Sequence, residues 1–455
     1  MTEHNPPLRP TPPSFFERAN TLVKESVTIK LIVIGFLTLI MLIPIGMVES
    51  LIHERTYRQN DAKHEIGKSW AQSQSIGGPV INIPYHDHYI DSDTKSRGTM
   101  HLLPDDFSVS AVINPEIRYR GIFEIPVYQS VSEVSFYFNP EHLKEYSDRK
   151  YDWDKMTLSF GVSDPRGITE ETMIEINGSK TEFQPGLPDH DVFDAGIYIP
   201  LTTNWTDSTK SSITGSTTLN LRGTGSMFFE PAGKSTNIDV KSSWANPSFV
   251  GSFLPNSREV TKDGFDADWS VLQYNRSVPQ VFSGRNLLSS YQFGVDLFTP
   301  VNHYQKSERS IKYAVMLIAL TFILFFFSQA INKIRIHPFQ YFLVGLALCL
   351  FYTLLLSLSE HLGFNVAYGI AASMILTMIS LYIRQVFGSL KFTLITSGVL
   401  AGLYIYIYTL LQMQDYALLI GSLGLFIILG LIMWLSLKIQ WGGASTSKTE
   451  IDQPS

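Results

Sequence analysis

The chain has 455 residues, of which 45% are apolar and 17% charged, with a formal net charge of −6. Its charges are segregated: only eight fall between Ile311 and Gln440, whereas Leu51 to Ile311 carries 24 Lys and Arg against 33 Asp and Glu. Two solvents, lipid and water, are implied. A fully soluble protein is excluded, the acidic balance excludes a nucleic-acid footprint, and the single cysteine, Cys349, excludes an intrachain disulfide and four-cysteine metal sites.

In chain order, a proline-rich start (Pro6, Pro7, Pro10, Pro12, Pro13) precedes a charge-free run from Leu31 to Val48. About 20 apolar residues suffice to cross a bilayer. The run ends Met47-Val48-Glu49-Ser50-Leu51, without a small-residue cleavage pattern, so an uncleaved anchor is expected. Leu51 to Ser75 then reads as a helix continuing that span. Ala62, Ile66 and Trp70 recur every four residues, and Gly77-Gly78-Pro79 reads as the stop.

The pattern then changes to period two. Ile117 to Tyr128 places Tyr119, Phe123, Ile125 and Val127 on one face and Arg118, Arg120 and Glu124 on the other, as in one half-buried strand. Short strands are predicted at Val80–Tyr85, Ser108–Ile113, Glu133–Phe138, Met156–Gly161, Thr217–Arg222, Ser226–Glu230, Thr236–Lys241 and Ala267–Tyr274. Turn signals separate them at Asp164-Pro165-Arg166-Gly167, Asn177-Gly178, Pro231-Ala232-Gly233 and Asp263-Gly264, and Gly223-Thr224-Gly225 reads as a hairpin turn. This spacing predicts an antiparallel sandwich or barrel-like domain. Asn302 to Ser310 is a juxtamembrane stretch leading back to the bilayer.

Five further apolar runs follow, near Tyr313–Ala330, Tyr341–Ser359, Asn365–Ile383, Phe392–Leu411 and Tyr416–Leu437. Their short links predict antiparallel neighbouring helices. With the N-terminus in the cytoplasm beside Arg9, Arg18, Lys24 and Lys30, six crossings keep Lys333, Arg335, Arg384, Lys391 and Lys438 inside, while Glu360 and Asp415 fall outside. The expected organisation is a cytoplasmic segment 1–30, a span 31–48, a periplasmic domain 49–311 with its helix at 51–75, a bundle 312–440, and a cytoplasmic, disordered tail 441–455.

Chemical signals are sparse. His86-Asp87-His88, with Asp91, Asp93 and His101, is the best metal candidate, since alternate strand residues share a face; an exposed polar strand end is the favoured reading, and no metal is expected. Ser359 and His361 suggest an intramembrane hydrolase only if the base reaches the nucleophile. A polar helix end with Gly363 beyond it is favoured. No catalytic residue and no cofactor are expected. Transport would need polar groups at mid-span; the spans offer hydroxyl, amide and tyrosine groups such as Thr353, Asn365, Tyr368, Tyr404 and Tyr406, and a carrier's cavity would be lined by groups such as Tyr368 and Asn365. Trp244 to Pro255 is either a core corner or an exposed docking surface, with core as the default.

Several segments together resemble the CreD family of bacterial inner-membrane proteins. They include Arg58 to Ile66 (with Glu65), Trp70, Gln74 and Gly78-Pro79, then Arg120-Gly121-Ile122-Phe123 and Asp164-Pro165-Arg166-Gly167. They continue with Trp244, Pro247, Phe249, Gly251, Leu254 and Pro255, then Glu308-Arg309, and finally Glu360-His361. The resemblance covers about residues 20 to 440. It implies an inner-membrane location and a link to envelope integrity and stress, and it supplies no catalytic residue or cofactor. The reading is an α+β membrane protein with six transmembrane helices, one N-terminal and five C-terminal. A large β-rich, sandwich- or barrel-like periplasmic domain is inserted between spans one and two. The expected function is non-enzymatic. The expected partners are the lipid bilayer and another envelope protein or glycan, with no nucleic acid. The alternatives are a carrier or flippase of an apolar or lipid-linked substrate and, more weakly, the hydrolase.

Overall fold

A computed structural model of the chain describes residues 27–87, 96–146, 149–203, 205–206, 210–297, 303–332, 334, 336–413 and 416–437. Packing divides the chain into two units, Met1–Thr56 with Val301–Ser455, and Tyr57–Pro300.

The first unit is helical. Its N-terminal helices are α1 (Val27–Ile40) and α2 (Leu42–Trp70), of which α2 runs on into the second unit. The others are α3 (His303–Lys312), α4 (Ala314–Asn332), α5 (Pro338–Leu362), α6 (Phe364–Phe387), α7 (Leu390–Gln412) and α8 (Ala417–Ser436). Among the described residues, six segments are long and apolar enough to cross a membrane: Thr28–Trp70 and the five helices α4 to α8. The link before α5 shows how sequence sets a helix start. Pro338 opens the helix, the His337 ring accepts the Phe339 N–H at 3.2 Å, and the Gln340 side chain accepts the His337 N–H at 2.9 Å.

Among the described residues, the second unit contains 18 strands. In chain order these begin with β1 (Gln74–Asp87), β2 (Ser96–Leu102), β3 (Asp106–Arg120), β4 (Phe123–Phe138), β5 (Lys150–Tyr151) and β6 (Thr157–Val162). Next come β7 (Met173–Ile176), β8 (Ser179–Glu182), β9 (Gln184–Pro185), β10 (Gly196–Pro200), β11 (Ile213–Thr224) and β12 (Ser226–Phe229). The last six are β13 (Ser235–Ser242), β14 (Pro247–Gly251), β15 (Ser257–Val260), β16 (Phe265–Leu272), β17 (Val281–Ser283) and β18 (Phe293–Leu297). A ten-stranded sheet runs β14-β18-β12-β1-β6-β10-β9, with β2 and β5 also paired to β1 and β17 paired to β2; an eight-stranded sheet runs β15-β16-β13-β3-β4-β11-β7-β8. One continuous apolar core lies between them, joined by ring contacts such as Phe136–Phe160 and Trp269–Phe293. Alternation explains this packing. In β13, Thr236, Ile238, Val240 and Ser242 point inward while Asn237, Asp239 and Lys241 point out.

Each expected strand overlaps an observed one, but four local readings change. The helix predicted over Leu51 to Ser75 ends at Trp70, and Gly77-Gly78-Pro79 lies inside β1 rather than stopping a helix. The two glycines serve close packing. A side chain on Gly77 would meet the Phe193 ring at 2.6 Å, and the β1–β6 register shifts between Gly77 and Val80. The stretch Ile117 to Tyr128 is not one strand but a hairpin, with Arg120 paired to Phe123. Gly121, at φ +60°, takes the first of the two loop residues, where such a tight turn favours glycine. Gly223 to Gly225 is no hairpin turn either, because β11 and β12 belong to different sheets, so the chain crosses between layers there. The sheets are mixed rather than wholly antiparallel, since β1 runs parallel to β12 and β3 to β13. Period two reports the face of a residue and not the direction of its neighbour.

Candidate functional site

Four of the motif residues meet in one network in the second unit. The Trp70 indole N–H donates to the Tyr128 carbonyl at 3.4 Å, and the Arg118 guanidinium lies 3.8 Å over its ring. The Gln74 amide is fully buried and donates to the carbonyls of Asp164 (2.9 Å) and Arg222 (3.0 Å). Asp164 accepts the Gln72 N–H at 2.9 Å and two guanidinium contacts from Arg166 at 2.8 and 2.7 Å. Those Arg166 bonds hold its carboxyl below the usual aspartate range. Gly167 has no room for a side chain, because a Cβ would lie 2.5 Å from the Arg222 carbonyl. The Tyr128 hydroxyl donates to Ser226 O at 2.8 Å, and burial pushes its pKa up. The Gln74, Asp164 and Tyr128 side chains are each hydrogen-bonded, while the buried Arg222 Nε beside the Trp70 ring has no hydrogen-bond partner among the described residues, and the knot fixes β1, β4 and β11 relative to one another. Glu65 pairs with Arg120 at 2.8 Å on the surface.

The Trp244–Pro255 segment divides. Phe249 packs edge-on against Phe265 and Trp269, and Phe253 against Phe293. The Trp269 indole donates to Phe253 O at 3.2 Å. Pro247 to Gly251 form the edge strand β14, Trp244 and Pro255 are half-buried, and Leu254 is 68% exposed. The core reading holds for the two phenylalanines, and Leu254 remains a surface residue.

In the membrane-spanning unit the predicted residues do not assemble a hydrolase. Ser359 is buried and donates to Leu356 O of its own helix at 2.9 Å, whereas His361 is exposed. Two residues apart on a helix, they point about 200° apart. The intervening Glu360 is the group that is used. Its carboxylate accepts the Tyr304 hydroxyl at 3.0 Å and lies 3.4 Å from Arg55 Nε, so it gathers α2, α3 and α5. Glu308 pairs with Lys312 along α3 at 3.0 Å, and Arg309 is half-buried there. Tyr368 is packed: its hydroxyl donates to Tyr404 O at 2.8 Å and its ring lies against Phe351, Tyr404 and Tyr408. Asn365 bonds Gln412 at 2.6 Å. An apolar crevice of about 460 Å³ lies between α4, α7 and α8, bordered by Leu324, Val399 and Ile432.

Two features of the second unit carry exposed or unsatisfied polarity. The outer face of the eight-stranded sheet holds a polar trough of about 630 Å³. Asn237, Ser108, Ser135 and Ser216 lie side by side across four adjacent strands, with Asp239 and Thr218 in the next row. The second is a smaller cavity of about 210 Å³ bordered by Ser75, Phe193, Asp194 and Glu230. Glu230 is buried, accepts the Ser75 hydroxyl at 3.0 Å, and leaves Oε2 without a partner. Burial pushes its pKa up to about 7.

With this architecture in place, comparison with known proteins is decisive. A family model described as inner membrane protein CreD matches residues 26–442. The chain is 34% identical over 426 residues to the inner membrane protein CreD of Escherichia coli (strain K12), covering 90% of this chain and 92% of that protein. The chain belongs to the CreD family. It is therefore a multi-pass inner-membrane protein, with one N-terminal and five C-terminal candidate spans flanking the β-rich domain.

Within this CreD-family chain, the described histidines of the metal set read from sequence, His86 and His101, do not come together. His86 bonds Asp152 at 3.0 Å, and His101 sits four pairs along the β1–β2 ladder, opposite Asn82. His88, Asp91 and Asp93 lie outside the described residues. Glu230, and the pair Asp189 and Asp191, were invisible to sequence reasoning. No motif marks them, and only the fold brings them beside Ser75 and His101.

Proposed function

We propose that this inner-membrane protein acts in envelope integrity and the stress response as a non-enzymatic scaffold, its inserted domain lying in the periplasm and contacting another envelope component. Both termini are then cytoplasmic, following the Lys and Arg of the short loops. One observation carries the reading. The outer face of the eight-stranded sheet presents hydroxyl, amide and carboxylate groups in register across four strands, beside a trough of about 630 Å³. Such a face suits a hydrogen-bonding partner of the envelope, a glycan or a polar protein surface, better than an apolar one.

The test is photo-crosslinking in living cells. Probes are placed at Ser108, Ser216 and Asn237 and across Trp244–Pro255, and the adducts are identified by mass spectrometry. A discrete protein or glycan adduct on the sheet face is the expected result. Adducts to lipid alone, concentrated in the spans, would overturn the reading.

The apolar crevice between α4, α7 and α8 favours a second reading, passage of an apolar or lipid-linked substrate. Filling it by Val399→Trp then abolishes function; on the scaffold reading the same substitution leaves function intact.

A further inference from the structure

His101 lies on β2 with no exposed surface. Its Nδ1 is 2.9 Å from Asn82 Oδ1. The Asn82 amide nitrogen already donates to Ser159 Oγ (2.8 Å) and Thr157 Oγ1 (3.3 Å), so its oxygen is an acceptor and the His101 Nδ1 carries the proton. In the neutral ring, Nε2 is then a lone pair. A buried lone pair needs a donor or a cation, yet what it faces is a pair of carboxylates. Asp191 Oδ2 is 3.4 Å away, and Asp189 adds an oxygen such that the three donor atoms lie within 4.8 Å of one another. Among the described residues neither aspartate pairs with a Lys or Arg.

The 3.4 Å separation accommodates a shared ion as well as a direct contact. A charge-assisted imidazolium–carboxylate bond is normally about 2.7–2.9 Å. Two ligands of one tetrahedral ion with bonds of about 2.0–2.2 Å stand roughly 3.4 Å apart. An imidazole whose far nitrogen is fixed by an outer hydrogen bond is also the usual state of a metal-bound histidine. We propose that His101, Asp189 and Asp191 form a binding site for a divalent metal ion of the Zn²⁺ class. One nitrogen and two carboxylate oxygens leave a coordination position for water, on the side where the Asp191 side chain is 38% exposed.

The ion would tie the segment between β9 and β10 to β2. Asp191 also accepts the Asn286 N–H through its carbonyl at 2.9 Å. The residues that follow, Val192 to Ala195, form one wall of the cavity beside Glu230.

The test uses the full chain, purified in detergent without a polyhistidine tag and stripped with chelator. Zn²⁺ binding is followed by calorimetry, and Co²⁺ is read by its visible absorption. The expected result is about one ion per chain, bound at least about tenfold more weakly by Asp191→Asn and by Asp189→Asn, with thermal stabilisation by Zn²⁺ lost in both. Both aspartates are half-exposed, so either variant serves if the other fails to fold. Binding that is absent, or equal in wild type and variants, overturns the site and leaves a His101–Asp191 ion pair only.

Discussion

The two units bury comparable side chains for different reasons. In the inserted domain, Trp269 and Tyr128 are enclosed between sheets, and the buried amide of Gln74 finds carbonyl partners on Asp164 and Arg222. In the membrane-spanning unit, α8 buries none of its residues, with Leu418 86% and Phe426 75% exposed. Water drives the first arrangement by expelling apolar surface. Lipid gives no such drive between helices, so packing there rests on shape and on a few polar contacts. The lesson is that apolar exposure is a defect in one unit and the ordinary condition in the other.

The sharpest way to break this comparison is to truncate one large residue in each unit. Trp269→Ala should cost about 3–5 kcal/mol in unfolding of the detergent-solubilised chain, by loss of a buried aromatic among Phe249 and Phe293. Phe426→Ala should change the same measurement by less than about 0.5 kcal/mol. Equal effects would show that α8 is covered in the functional state.

A smaller effect tests burial of charge in the domain. The pKa of Glu230 is about 7 in the folded chain against an ordinary value of 4.5. The folded state therefore binds this proton more tightly than the unfolded one. Its contribution is full below about pH 4.5 and is lost as pH rises to about 7, on the order of 3 kcal/mol in all. Thermal unfolding of wild type against Glu230→Gln across that window should show a slope difference of this sign, with parallel curves refuting it.

Smaller again is the polar contact of the other unit. Glu360→Ala strands the Tyr304 hydroxyl and should cost about 1–3 kcal/mol. Glu360→Gln keeps an acceptor for that hydroxyl and should cost less than about 1 kcal/mol, because Arg55 is 39% exposed and its attraction is screened. The ratio of the two losses in detergent thermal unfolding separates hydrogen bond from charge. The smallest effect is expected for Ser359→Ala, whose hydroxyl bonds only its own helix. Complementation at wild-type level is the expected outcome, and a dead but folded variant would restore the hydrolase.

Hydropathy alone was enough to count and place the six spans, because a bilayer imposes a length and forbids charge along it. Period two was likewise enough to find eight of the 18 described strands, since one face of each of these met a core. Strand direction, the hairpin at Gly121 and the layer crossing at Gly225 were not legible, because alternation is identical in parallel and antiparallel neighbours. The sites were legible least of all. Trp70, Gln74, Asp164 and Gly167 stood out as motif residues, but only the folded chain shows them to be one connected knot. Glu230 and Ser75 lie 155 residues apart, and His101 and Asp191 lie 90 apart. A sequence carries the chemistry of each side chain, whereas the dielectric around it and the partner opposite it arise only when distant strands are brought into one sheet.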